Sequence, residues 1–154
     1  MNTTLAIFVA VVIILIIAVK VLNVKKKETK WPFYAKKPLS TPEQVLFFRL
    51  TEALPENIVL AQVQLSRLMG VKKGYNFHEW NNRINRMSAD FVICEKDSKI
   101  KAVIELDDST HEQKNRKIAD QKKDSALNAA GIKIIRWNVK EIPNKEEIKR
   151  VFHG

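Results

Sequence analysis

The chain has 154 residues, with 27 lysines and arginines against 17 aspartates and glutamates, and one cysteine. A single cysteine excludes an intramolecular disulfide framework and a zinc site built from cysteines. The formal charge of +10 argues for polyanionic partners, either nucleic acid or anionic lipid, without choosing between them.

The first element covers residues 1–24. Every position from 5 to 19 is apolar, and Lys20 is the first charge. A helix over this stretch is about 30 Å long, the thickness of a hydrocarbon core, and Lys20 can snorkel to its edge. Lys25, Lys26, Lys27 and Lys30 follow, while no charged side chain precedes the run. The positive-inside rule then predicts a single-pass anchor in the cytoplasmic (inner) membrane, with its N-terminus outside and the remaining chain in the cytoplasm. A cleaved signal peptide would need a basic stretch before the run and a small-residue cleavage site after it, and the sequence offers neither. A buried soluble helix is disfavoured because the run is apolar on all sides. Residues 25–39 read as a basic linker, with Pro32 and Pro38 and no period, where Trp31 and Tyr34 suit the headgroup region.

Residues 40–154 are enough for one domain with a core. Ser40 or Thr41 can cap a helix, with Pro42 in its first turn, Glu43 or Gln44 closing a capping box, and Pro55 as the stop. Residues 58–63 read as a strand and 65–69 as a helical turn. Residues 70–86 are polar and irregular, a loop or short helix. Strands over 87–94 and 100–106, joined by a turn at 95–98, form a hairpin, and Cys94 reads there as a small buried hydrophobe. Asp107, Asp108, Ser109 and Thr110 offer N-caps for a long helix to about Ala130, which Gly131 ends. A strand over 132–139, Pro143 and a short helix complete the chain.

The chemistry concentrates on the hairpin. The two-residue period of a strand puts Val103, Glu105 and Asp107 on one face and Ile104 and Leu106 on the other. Asp90, on the neighbouring strand, can point to the same side. Carboxylates in a buried strand are costly unless paired or metal-bound, and three converging ones would draw Mg²⁺ or Mn²⁺. The following helix has an apolar stripe of Ile118, Ala119, Ala126, Leu127, Ala129 and Ala130. Toward its N-terminus the same side carries His111, Asn115, Lys122 and Lys123. A lysine there could neutralise a scissile phosphate, and the first-turn amides also favour an anion.

Asp90 on one strand and Glu105, Leu106 and Asp107 on the next, within the order αβββαβ, resemble the PD-(D/E)xK nuclease superfamily. Residues 104–111, 120–127, 130–132 and 135–137 are similar to a bacterial branch of domains of unknown function akin to very-short-patch-repair-like endonucleases. The resemblance spans roughly residues 38–139 and implies a small restriction-endonuclease-like α/β domain behind the transmembrane helix. It further implies a metal held by Asp90, Glu105 and the Leu106 carbonyl, with Glu43 as an added acid. The usual lysine two positions after the glutamate is Asp107 here. Lys123 from the following helix is the candidate replacement, with Lys122 second. His111 and Asp120 would belong to the branch's signature, and Asp107 to metal or water.

Plainer roles stand beside these. Glu43 serves equally as a helix cap, Asp108 as a turn residue, and His111 as a partner of Asp107. Lys122 and Lys123 are ordinary solvated lysines if the helix is rotated by a third of a turn. Arg136 can pair with Asp120 or Asp124, and Trp137 can pack in the core. The expected function is a membrane-anchored, Mg²⁺-dependent nuclease-like protein acting on nucleic acid, DNA ahead of RNA. The alternatives are a catalytically inactive nucleic-acid-binding module of the same fold and a membrane-proximal interaction protein.

Overall fold

The computed structural model describes residues 2–22, 30–108 and 114–153. The chain divides into two compact units, residues 1–36 and residues 37–154. In the first unit, helix α1 spans Thr3–Leu22. It is long and apolar enough to cross a membrane, and none of the side chains from Thr3 to Lys20 is covered by protein. Residues 30–36 take no regular structure, and Trp31 stacks on Phe33 at 5.7 Å. Residues 23–29 of the expected anchor and linker lie outside the described residues.

The second unit begins three residues before the predicted boundary. Helix α2 spans Thr41–Ala53, with Ser40 as N-cap and proline in its first turn, as the sequence predicts. The Ser40 N–H donates to Glu43 Oε2 at 2.6 Å, which is the return half of the capping box. Strand β1 covers Ile58–Gln64, and a 3₁₀ turn follows at Leu65–Arg67. The irregular stretch 70–86 contains helix α3, Phe77–Ile84, capped by the Asn76 side chain, which accepts from the Glu79 N–H. Its eight residues are too few to show a period above the polar background, so the sequence left a loop open there.

Strands β2, Ser88–Cys94, and β3, Ile100–Asp107, form the predicted antiparallel hairpin. Its turn places Ser98 at φ +71°, and the Glu95 N–H donates to the Lys99 carbonyl. Helix α4, Lys114–Ala129, crosses over to β4, Ile134–Asn138, which lies parallel to β3. Gly131, at φ +72°, supplies the left-handed residue that ends α4. Helix α5, Lys145–His153, closes the chain. The sheet order is β1-β2-β3-β4.

Apolar side chains cover both faces of this sheet. On one face Phe91, Ile93 and Ile104 pack with Leu46 and Leu50 of α2 and Ile148 of α5, and half-buried Trp137 joins them. Arg49 fastens α2 to the loop before α5 by donating to the carbonyls of Ile142 and Pro143. On the other face Val92, Cys94 and Val103 pack with Leu127 of α4, Leu65 of the 3₁₀ turn and Ile84 of α3. Cys94 is buried, and burial pushes its thiol up, which suits packing better than nucleophilic chemistry.

Candidate functional site

The parallel register sets Glu105 opposite Arg136 and Asp107 opposite Asn138. In the antiparallel hairpin Phe91 faces Ile104, so the next position along sets Asp90 beside Glu105. Strand alternation turns Asp90, Glu105, Asp107 and Arg136 to the face that α4 covers. The sheet therefore carries a charged row toward the C-terminal ends of β3 and β4, beyond its apolar stretch.

Glu105 is the one buried charged side chain among the described residues, 4% exposed. Its Oε2 accepts from Lys123 Nζ at 2.6 Å, while its Oε1 is buried with no hydrogen-bond partner. Burial pushes the carboxyl up to about 7, against the pull of Lys123; Asp90 adds to the rise and Arg136 opposes it. Asp90 is half-buried, and its Oδ2 accepts from the Leu106 N–H at 2.9 Å. Burial raises its carboxyl too, with Glu43 and Asp107 adding to the effect and Lys123 opposing it.

Lys123 reaches Glu105 because it lies one turn before Leu127, the α4 residue buried against Val103. The helix face is narrower than the predicted stripe. Leu127 alone is fully buried and Ala126 half-buried, while Ile118, Ala119, Ala129 and Ala130 are exposed. Lys122 points to solvent, which leaves Lys123 as the lysine of the site. His111 lies outside the described residues, as does the side chain of Asn115.

Arg136 forms the second half of the arrangement. Its Nη1 donates to both Asp107 oxygens at 3.0 Å, and its Nη2 to Asp124 at 2.6 Å. Burial works against its charge, but the bonds to Asp124 and Asp107 outweigh this and raise its pKa. The sequence offered Asp120 or Asp124 as partners; the structure selects Asp124 and adds Asp107. Asp107 is thus neutralised from the neighbouring strand.

Glu43 has both oxygens engaged, Oε2 by the Ser40 N–H and Oε1 by Gln62 Nε2 at 2.6 Å. Gln62 stands beside Asp90 in the register, between the pairs Ala61–Phe91 and Val63–Ala89, and breaks the β1 pairing at φ +53°. Sequence reasoning missed Gln62 because an alternating strand gives no sign of a left-handed glutamine.

Among the described residues no three His, Cys, Asp or Glu side chains stand together closely enough to hold a metal ion. The oxygen donors at the centre of the row are two, Asp90 and Glu105. One concave region is lined by Trp137, Pro143, Arg150 and Val151, and another by Leu68, Ile100, Gly131 and Ile132; neither includes the charged row.

A family model described as "Protein of unknown function (DUF2726)" matches residues 35–153. No curated protein and no solved structure matches the chain.

Proposed function

The chain belongs to the DUF2726 family of proteins of unknown function, and from that premise we propose that it is a membrane-anchored, metal-dependent nuclease-like protein acting on nucleic acid phosphodiesters. One observation carries the reading. Glu105 sits in a central strand with one oxygen on Lys123 and the other buried and unpartnered. An orphaned carboxylate oxygen costs about 1–3 kcal/mol, and a ligand that uses it removes that cost. Hard carboxylate oxygens fit Mg²⁺ or Mn²⁺, which retain waters in place of further protein ligands. Asp90, Glu105 and the Leu106 carbonyl would hold the ion. When bound, it supplies Lewis-acid stabilisation of charge on the phosphodiester oxygens.

The chain's own groups do the rest. Lys123 is fixed by Glu105 and brings a positive charge to the row, where it would offset charge developing on a phosphate. The Leu106 N–H orients Asp90. Arg136 keeps Asp107 from adding uncompensated negative charge. In this reading α1 is the single-pass anchor, with the domain in the cytoplasm beneath the inner membrane, and the basic surface grips nucleic-acid backbone without reading sequence.

The test is cleavage of single-stranded and duplex DNA and RNA by the full chain in detergent, with Mg²⁺, Mn²⁺ or EDTA. Cleavage that needs the divalent ion and disappears in Glu105→Gln and Lys123→Met is the expected result. Wild type indistinguishable from Glu105→Gln in every metal would end the catalytic reading. The closed Arg136–Asp107–Asp124 network favours the second reading, an inactive binding module, which predicts salt-dependent binding that survives Glu105→Gln without turnover.

A further inference from the structure

Helix α3 presents an apolar stripe that the fold leaves largely open. Phe77, Trp80 and Ile84 share one side by their spacing, but Ile84 alone is buried. Phe77 is 57% exposed, Trp80 41% and the preceding Tyr75 62%. Two of these rings nevertheless brace each other. Tyr75 meets Trp80 edge to face at 5.9 Å, and the Arg83 guanidinium lies 4.1 Å from the Trp80 ring centroid. Arg83 also pairs with Glu79 at 2.6 Å, which neutralises the one acid between Lys72 and Arg86. Lys72, Lys73 and Arg86 flank the aromatics, so the segment is cationic around a planar apolar surface.

We propose that residues 72–86 form a binding platform for a single-stranded polynucleotide, with Tyr75, Phe77 and Trp80 stacking on bases and Lys72, Lys73 and Arg86 meeting phosphates. The assignment rests on the reading above that nucleic acid is the substrate, and it narrows that substrate to unpaired strands. The chemistry selects the single strand because a duplex keeps its base faces stacked inside and offers exposed aromatics nothing planar. The location agrees. Ile84 of α3 and Leu127 of α4 belong to one apolar cluster on one face of the sheet, the face that also carries Glu105 and Lys123. A strand held on α3 therefore lies on the catalytic side of the sheet. An anionic bilayer is the competing occupant, and a braced, edge-to-face aromatic wall suits stacking better than insertion among acyl chains.

The experiment uses the full chain in phosphatidylcholine nanodiscs, in EDTA and in a Glu105→Gln background so that cleavage cannot intervene. Fluorescent twenty-nucleotide oligo-dT, oligo-U and a mixed-sequence DNA duplex are the probes, read by anisotropy at several salt concentrations. Trp80→Ala and Phe77→Ala should each weaken single-strand binding on the order of tenfold, with Trp80→Tyr retaining most of it and the duplex little changed. Arg86→Ala should flatten the salt dependence by about 0.7 in log–log slope. The two single-stranded probes distinguish DNA from RNA. Hydrogen exchange across residues 72–86 should slow on adding oligonucleotide. Equal losses for duplex and single strand, or no loss in Trp80→Ala, would overturn the platform. Protection by phosphatidylserine nanodiscs with none from oligonucleotide would assign the surface to lipid and overturn it too. Metal-dependent cleavage by the wild type, lost in Glu105→Gln, stands or falls separately from these outcomes.

Discussion

Glu105 is where the physical chemistry of single residues is sharpest. Its folded-state pKa of about 7 exceeds the ordinary 4.5, so between these values the folded chain binds more protons than the unfolded one. The group's favourable contribution is complete below pH 4.5 and is lost as pH rises through 7. A shift of this size corresponds to about 3 kcal/mol. Urea unfolding of wild type and Glu105→Gln should therefore diverge, with wild type losing stability relative to the variant from pH 5 to pH 8. Parallel pH profiles would show that Glu105 is not perturbed. Lys123→Met removes the partner of a buried carboxylate, and breaking such a pair costs about 3–5 kcal/mol. That cost should be large at pH 8, where Glu105 is ionised, and much smaller at pH 5, where it is neutral. A pH-independent loss would place the role of Lys123 in packing.

At the scale of elements, α4 is seated on the sheet by one fully buried side chain, while Lys123 and Asp124 carry its charged contacts. Leu127 is fully buried and fixes the rotation that aims Lys123 at Glu105. Leu127→Ala should cost about 2–5 kcal/mol and also shift the Glu105 titration, since the lysine loses its bearing. Gly131→Ala should cost less, about 1 kcal/mol, because the left-handed φ is penalised while nothing lies within 4 Å of the added carbon. Thermal melts rank the two; equal losses would mean that an added carbon at Gly131 is crowded. Much of this element was legible. The capping residues and Gly131 predicted a helix here and its stop, and the continued stripe put Lys122 or Lys123 on the side of the carboxylates. The width of the buried face was not legible, because alanines carry too little area to compel burial.

For the molecule as a whole, the anchor reading makes its own prediction. The full chain should remain in the membrane pellet at high salt, and a chain lacking residues 1–36 should move to the supernatant. Release of the full chain by salt alone would reduce α1 to a surface association.

Local chemistry along the chain determined a good deal by itself. A long apolar run, a capping box and two-residue alternation each act between near neighbours. Together they yielded α1, α2, the β2–β3 hairpin and the shared side of Asp90 and Glu105. Only the tertiary structure decided which charges neutralise which. The parallel register of β3 and β4 brings Arg136 to Asp107, 29 residues away in sequence, and the break at Gln62 ties Glu43 to the edge of the row. It also decided that Trp80 and Phe77 stay outside while Ile84 goes in. Exposure and ion pairing depend on what else occupies the same space, and spacing along one chain carries no information about that.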